Sequence, residues 1–407
     1  MVQIPTRLLA VLATGLLTCV VLMLVACRPQ SIKKETLALP QGVSLELYEA
    51  VRNDLGGSDD KPPAESAILF ALAERLRADE EFGAAVACLE RVTSDDPERG
   101  TEARLQQGLL LVTLHHATEA ERNFQEFIAL AQAGRKVPGE QVAEALDMLR
   151  FLLGVELRFE ERHAILRAIH LLNAADTNDA ITYCFPSVLR WNGEQAVRWL
   201  EEFLAQDPED FTLRVALGRY RTGQGNLDEA EDVLRRCCIE RPDDLRAQAA
   251  LLACHYERAD WEQMEDILAD LPPAHPDEPW LLLRLRGHVH NHFGRFQNAA
   301  DVFTMAITAD PANGESHLGL GKALAGLHRD DESKQEFAKT NVIARIQNRL
   351  GWIQVRDDDV SALMEVAELC EEIDLDVRAG VIARRILQLS PQHEGAQGLL
   401  SRLAASQ

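Results

Sequence analysis

Three histidines alternate in the stretch Gly287–Gly294, GHVHNHFG: His288, His290 and His292. Imidazole nitrogens are common metal ligands, so the first chemistry to consider is metal or haem handling. The element carrying them decides the geometry. On a strand all three would share a face. On a helix His288 and His292 share one, and His290 points about 200° away from His288. A two-histidine pair needs further ligands from elsewhere, such as a nearby acid or His255. Other chemistry is sparse. Gly319-Leu320-Gly321-Lys322 touches a phosphate-loop pattern, but Ala323 follows the lysine and no glycine stands five residues before Gly321. Neither G-x-S-x-G nor H-E-x-x-H occurs. The acidic pairs Glu160-Glu161 and Glu209-Asp210 are expected on solvated faces or turns. No catalytic residue is assigned, no cofactor is expected, and an enzyme is the least favoured reading.

The elements that position these residues are helical. Of 407 residues, 46% are hydrophobic but only 5% aromatic, and Leu and Ala carry most of the apolar content. Both are strong helix formers, whereas sheets draw on β-branched and aromatic residues. The length allows one to three domains. The net charge of −23 repels a phosphate backbone, so nucleic acid is not an expected partner. Cys88, Cys184, Cys237, Cys238, Cys254 and Cys370 show no C-x-x-C spacing and fall mostly at apolar helix positions. Free buried thiols are expected, with a Cys237–Cys254 or Cys238–Cys254 bridge as the alternative.

The N-terminus is distinct. Arg7 precedes an uncharged, mostly apolar run from Leu8 to Ala26, ending Leu24-Val25-Ala26-Cys27. That order describes an export signal, and its length also suits an uncleaved anchor helix. The last four residues resemble the lipobox of bacterial lipoproteins. The resemblance implies cleavage before Cys27, a diacylglycerol on its sulfur, and anchoring in the bacterial envelope. Cys19 follows Thr18 and is the poorer candidate. Arg28, where an Asp would favour the inner membrane, leans towards the outer membrane.

A period runs through the rest. Pro208, Pro242, Pro276 and Pro311 are separated by 34, 34 and 35 residues. Gly218 is followed after twelve, sixteen and twenty-four residues by Ala230, Leu234 and Pro242, and Gly287 by Ala299, Phe303 and Pro311. Ala73, Ala85, Leu89 and Pro97 repeat the spacing, and Cys184, Ala196, Leu200, Pro208 is a weaker copy. Gly costs up to about 1 kcal/mol in a helix relative to Ala, so its recurrence points to close approach, here expected from the backbone or Ala of the second helix.

This pattern resembles the tetratricopeptide repeat, a helix–turn–helix unit. The resemblance implies an all-α solenoid of stacked antiparallel helix pairs wound as a right-handed superhelix. Residues 1–26 are then a lipoprotein signal (or signal anchor), 27–64 a tether with a first helix, and 65–176 partly degenerate repeats. Residues 177–345 form the clearest array, and 346–407 a degenerate repeat with a capping helix. Residues 139–176 read as two amphipathic helices that are either a drifted repeat or a break, and 341–356 as a helix extended past the usual length.

In this family the first helix of each pair lines a concave groove. The resemblance therefore places Arg219, Arg246, Tyr256, Arg284, His288, Asn291, His292 and Lys322 on the groove side. The cations among them form a basic track inside an acidic protein, suited to an acidic peptide or a chain-terminal carboxylate. The expected function is a membrane-anchored scaffold or adaptor that binds a protein partner. A metal- or haem-handling accessory built on His288 and His292 is the alternative.

Overall fold

The computed structural model describes residues 39–55, 64–171, 176–186, 193–353 and 359–405. The signal, Cys27 and most of the tether lie outside these residues. Among the described residues there are twenty helices and no strand, as an all-α solenoid requires. They fall into two compact units, Met1–Leu152 and Leu153–Gln407, whereas the repeat pattern alone placed a division after residue 176.

The first unit contains α1 (Leu45–Asp54), α2 (Glu65–Ala78), α3 (Phe82–Glu90), α4 (Gly100–Thr113), α5 (Ala117–Gln132) and most of α6 (Gly139–Val155). α2 pairs with α3, and α4 with α5. Ala73, Ala85 and Leu89, the residues of the period, are all buried.

The second unit contains α7 (Phe159–Leu171), α8 (Thr177–Cys184), α9 (Gly193–Gln206), α10 (Phe211–Gly223), α11 (Leu227–Glu240), α12 (Leu245–Arg258) and α13 (Trp261–Asp270). It continues with α14 (Trp280–His292), α15 (Phe296–Ala309), α16 (Gly314–Gly326), α17 (Asp330–Ile353), α18 (Val360–Glu372), α19 (Asp376–Leu389) and α20 (Glu394–Ala405). From α10 to α19 the helices pair consecutively. The expected long helix is α17, 24 residues long. α20 buries Ala396, Leu399 and Leu403 against the last pair and so covers its apolar face.

The periodic glycines do make close approaches, but towards the residue sixteen positions on rather than the alanine twelve positions on. A Cβ on Gly287 would lie 2.7 Å from the Phe303 ring, and one on Gly321 2.7 Å from the Phe337 ring. Gly218 faces Leu234 in the same way. Gly319 faces Phe303 from the following helix, so that ring lies between two glycines. This explains Gly319-Leu320-Gly321 as packing positions. Ser333, where the period calls for Ala, is buried and donates from Oγ to the Gly321 carbonyl at 2.8 Å. The extra polar atom therefore keeps a partner.

The prolines act one step away from the helices. Pro208, Pro242 and Pro311 are each followed two residues later by a side chain that caps the next helix. Asp210 accepts from Leu213 N, Asp244 from Arg246 N and Ala247 N, and Asn313 from Ser316 N, each at 2.9–3.0 Å. Capping of this kind satisfies backbone donors that have no partner inside the helix.

Each hairpin turns on one left-handed residue: Gly225, Ala259, Gly294 and His328, spaced 34, 35 and 34 residues apart. The next N–H bonds back five residues, as in Asn226 to Arg221 O at 2.9 Å and Asp260 to His255 O at 3.0 Å. Leu157, between α6 and α7, adopts the same conformation, and Arg158 N bonds to Leu153 O at 2.9 Å. The turn at Leu157 thus retains the hairpin geometry of the repeats, although residues 139–176 lack the small-residue signature.

Candidate protein-binding groove

The first helices of successive pairs, α10, α12, α14 and α16, place Arg219, Arg246, Arg284 and Lys322 along one side of the second unit. Arg219, Arg246 and Arg284 line a common cavity of about 240 Å³ together with Thr212, Val215 and Trp280. The cavity is also lined by Glu156, Glu160, Asp244 and Asp310, and Lys322 is not part of it.

The same surface carries α7 and the turn before it. Arg219 Nη1 donates to the Leu157 carbonyl at 2.5 Å, and its guanidinium lies 5.2 Å from the centre of the Phe159 ring. Arg246 Nη1 stands 3.3 Å from Glu161 Oε1, and the Trp280 backbone N–H donates to Glu160 Oε1 at 2.9 Å. The sequence predicts both acids to be solvated: Glu161 is exposed, as expected, while Glu160 is half-buried against the array. Burial pushes the Glu161 carboxyl up, but the hydrogen bond and charge of Arg158, with the charge of Arg246, hold it below its usual range. Burial pulls Arg219 down to about 10, which leaves it charged at neutral pH. Arg284 turns the other way and pairs with Glu315 of α16 at 3.0 Å.

Beyond Glu161, His163 stacks on Tyr183 of α8 (centroids 5.0 Å apart, planes 4° apart) and meets Trp280 edge-on at 6.0 Å. α8 then beds into the last repeats. Ile181 and Cys184 are fully buried in the core formed with α18, α19 and α20. Arg385 Nε donates to Thr177 Oγ1 at 2.9 Å. Cys184 packs against α19, its Sγ 3.7 Å from the Arg378 carbonyl oxygen. Arg378, whose guanidinium lies 5.7 Å from the Phe185 ring, pairs with the buried Asp310 at 2.9 Å.

The histidines are absorbed by packing. His292 stacks on Trp261, centroids 4.4 Å apart and planes within 8°. His288 lies against Tyr256 at 5.0 Å and edge-on to Phe303 at 5.2 Å. Burial, with the charges of Arg284 and Lys322, pulls His288 down to about 4, so its ring is neutral at neutral pH. Asn291 Nδ2 donates to the Gly319 carbonyl at 2.8 Å and ties α14 to α16. His255 is buried with Nδ1 3.5 Å from Asp260 Oδ2. Among the described residues no three His, Cys, Asp or Glu side chains gather where they could hold a metal ion. Of the eight groove-side residues, Arg219, Arg246 and Arg284 converge on the cavity. Tyr256, His288, Asn291 and His292 build the packing between repeats, and Lys322 is exposed.

All six cysteines after the signal are free thiols, five of them buried. Burial pushes Cys370 up to about 12, so it remains protonated and inert at neutral pH.

Paired helices turning on a fixed left-handed residue, with first helices aligned along a lined groove, define a helical-repeat protein. Residues 192–244 and 222–286 match tetratricopeptide-repeat family models. No curated protein matches the chain. Among solved structures, MamA AMB-1 is 22% identical over 40% of this chain and 87% of its own, at a TM-score of 0.29. Pseudomonas aeruginosa pilF is 15% identical over 56% of this chain and 97% of its own, at 0.32. A tetratricopeptide repeat protein from Parabacteroides merdae ATCC 43184 is 13% identical over 64% and 99%, at 0.31. Likeness at that level leaves the function to be read from this chain's own residues.

Proposed function

We propose that the protein is a scaffold or adaptor that binds a protein partner along the first-helix face of its second unit, and that it works tethered to a bacterial envelope membrane through lipid on Cys27. Stacked helix pairs suit this role because short units make one long binding surface. The observation that carries the binding side chemistry is the set Arg219, Arg246 and Trp280 N, which already engages a helix presenting Phe159, Glu160 and Glu161. A surface that holds the two carboxylates of one helix has the chemistry to hold those of a partner. Leu24-Val25-Ala26-Cys27 supports the tether. Among the described residues no helix is long and apolar enough to cross a membrane.

In-cell crosslinking with mass spectrometry tests the binding role. Crosslinked peptides of a partner should map to α10, α12 and α14 and disappear in an Arg219→Glu/Arg246→Glu chain. Unchanged capture by that variant would remove the groove from the account. Cys27→Ala should abolish lipid labelling and release the chain from the membrane fraction; unaltered labelling would remove the anchor.

A further inference from the structure

Most of the charged side chains on the cavity wall answer one another. Glu156 pairs with Arg158 at 2.7 Å, Asp244 with Arg246 at 3.5 Å, Arg284 with Glu315 at 3.0 Å and Asp310 with Arg378 at 2.9 Å. Two do not. Among the described residues neither Arg219 nor Glu160 joins an ion pair, and they make no contact with each other. Arg219 gives one N–H to the Leu157 carbonyl and lies over the Phe159 ring. A guanidinium has five N–H donors, so most of them are left over. Glu160 accepts the Trp280 N–H on Oε1, and its Oε2 makes no hydrogen bond among the described residues. The unpartnered atoms of both side chains are reachable from the cavity rather than sealed in protein.

Arg219 keeps its charge although burial pulls it down to about 10, and Glu160 is near enough to oppose that pull without touching it. Charges held away from water are costly unless something meets them. The wall thus presents one unmet cation and one unmet anion to the same small space. That space limits its occupant. About 240 Å³ is below the roughly 300–1,000 Å³ of sites that take drug-sized molecules, and a helix about 10 Å across does not enter it. Val215, Leu281 and Trp280 add apolar wall.

We propose that the cavity binds a free α-amino acid, with its carboxylate on Arg219, its ammonium on Glu160 Oε2 and an apolar side chain against Val215, Leu281 and Trp280. A zwitterion answers both charges at once. A simple anion would leave Glu160 unmet beside it, and a simple cation would leave Arg219 unmet. The site goes beyond the partner role, because it needs no second protein. The bound ligand joins α7 to α10 and so stabilises the folded chain.

The test uses the purified full chain. The standard L-amino acids are the probes, screened singly at millimolar concentration by thermal shift and then titrated by calorimetry. An apolar or aromatic amino acid should raise Tm and bind. Blocking either charge of that amino acid should weaken binding about tenfold or more: its N-acetyl derivative lacks the ammonium, and its amide lacks the carboxylate. Glu160→Gln keeps an oxygen for the Trp280 N–H but loses the charge. It should remove the preference for the free over the N-acetylated form and leave the preference for the carboxylate. Arg219→Gln should do the reverse. Binding by none of the standard amino acids overturns the inference, as does equal binding of the free and both blocked forms. Unaltered discrimination in Glu160→Gln overturns it too, because the ammonium is then held elsewhere. Should Arg219→Gln fail to fold, Glu160→Gln and the blocked ligands still decide. Every readout is on the isolated chain, so none of these outcomes bears on partner capture in cells.

Discussion

Glu160 Oε1 accepts the backbone N–H of Trp280 at 2.9 Å across 120 residues of sequence. The cap position of α14 is Pro279, whose side chain makes no hydrogen bond, whereas α10, α12 and α16 are capped by Asp or Asn. A carboxylate from α7 therefore takes the place of the missing cap and also sits at the positive end of the α14 dipole. Glu160→Ala should cost about 1 kcal/mol, and Glu160→Gln less, because the amide oxygen still accepts. For a unit of this size that is a melting shift of about 2–4 °C. Hydrogen exchange should quicken at Trp280 in the Ala variant, and an unchanged rate would show that the contact does not cap the helix.

The Gly287–Phe303 contact makes a sharper prediction. Elsewhere in a helix Gly→Ala stabilises, by up to about 1 kcal/mol. Here the added methyl would stand 2.7 Å from the Phe303 ring, which is fully buried and also meets Gly319. Gly287→Ala should therefore destabilise by about 1–3 kcal/mol, as overpacking does. Phe303→Leu should recover part of that loss when combined with it. Urea unfolding of the two single variants and the double variant reads the coupling. Additive effects would mean that the glycine is not there for the ring.

These contacts show what the sequence makes legible. The glycine-to-Phe/Leu interval is local and repeated, so the period points to the pairs before any fold is known. The left-handed turn residues are just as regular, but Ala259 and His328 carry side chains that give no turn signal, so half of that period is silent. The placement of α7 and α8 is silent for a different reason. Their contacts span 60 to more than 200 residues, as in Arg219 with Leu157 and Arg385 with Thr177. No periodic pattern encodes such separations. A basic track and an acidic Phe-Glu-Glu segment stand in the same chain, and charge complementarity between them is the one signal that could have joined them.

Arg286 and Glu278 form a buried bidentate pair, Nε to Oε2 at 2.9 Å and Nη2 to Oε1 at 3.0 Å, with Arg286 also donating to the Pro272 carbonyl at 2.8 Å. Their side chains are 7% and 3% exposed, so removing one leaves the other charged and dry. Glu278→Ala should destabilise by about 3–5 kcal/mol. Replacing both by apolar residues of similar size, Glu278→Leu with Arg286→Met, should be much milder, because no uncompensated charge remains. Chemical denaturation of the three variants distinguishes a buried-charge penalty from a simple packing loss, in which the double variant would be the worst.

Acid should loosen α7 before it unfolds the array. Burial is the main reason that His163 is pulled down to about 4, aided by the charges of Arg378 and Arg167 and opposed by Asp310. An unfolded histidine titrates near 6.5. Between about pH 6.5 and 4 the unfolded or unseated chain therefore binds the proton more readily, and stability falls as the pH drops through that window. His288, also pulled to about 4, acts in the same direction on the α14 side. Glu161 adds a separate window. Its carboxyl is held below the usual carboxylate range, so its contribution is full above that range and is lost as the pH falls through its lowered value. His163→Phe keeps a ring to stack on Tyr183 but cannot titrate. It should flatten the pH dependence between about 6.5 and 4 and leave the lower window intact, whereas Glu161→Gln should do the reverse. Hydrogen exchange of α7 amides at pH 7 and pH 5 localises the effect, and an equal increase across α8 and α10 would show that the loosening is global rather than confined to the helix in the groove.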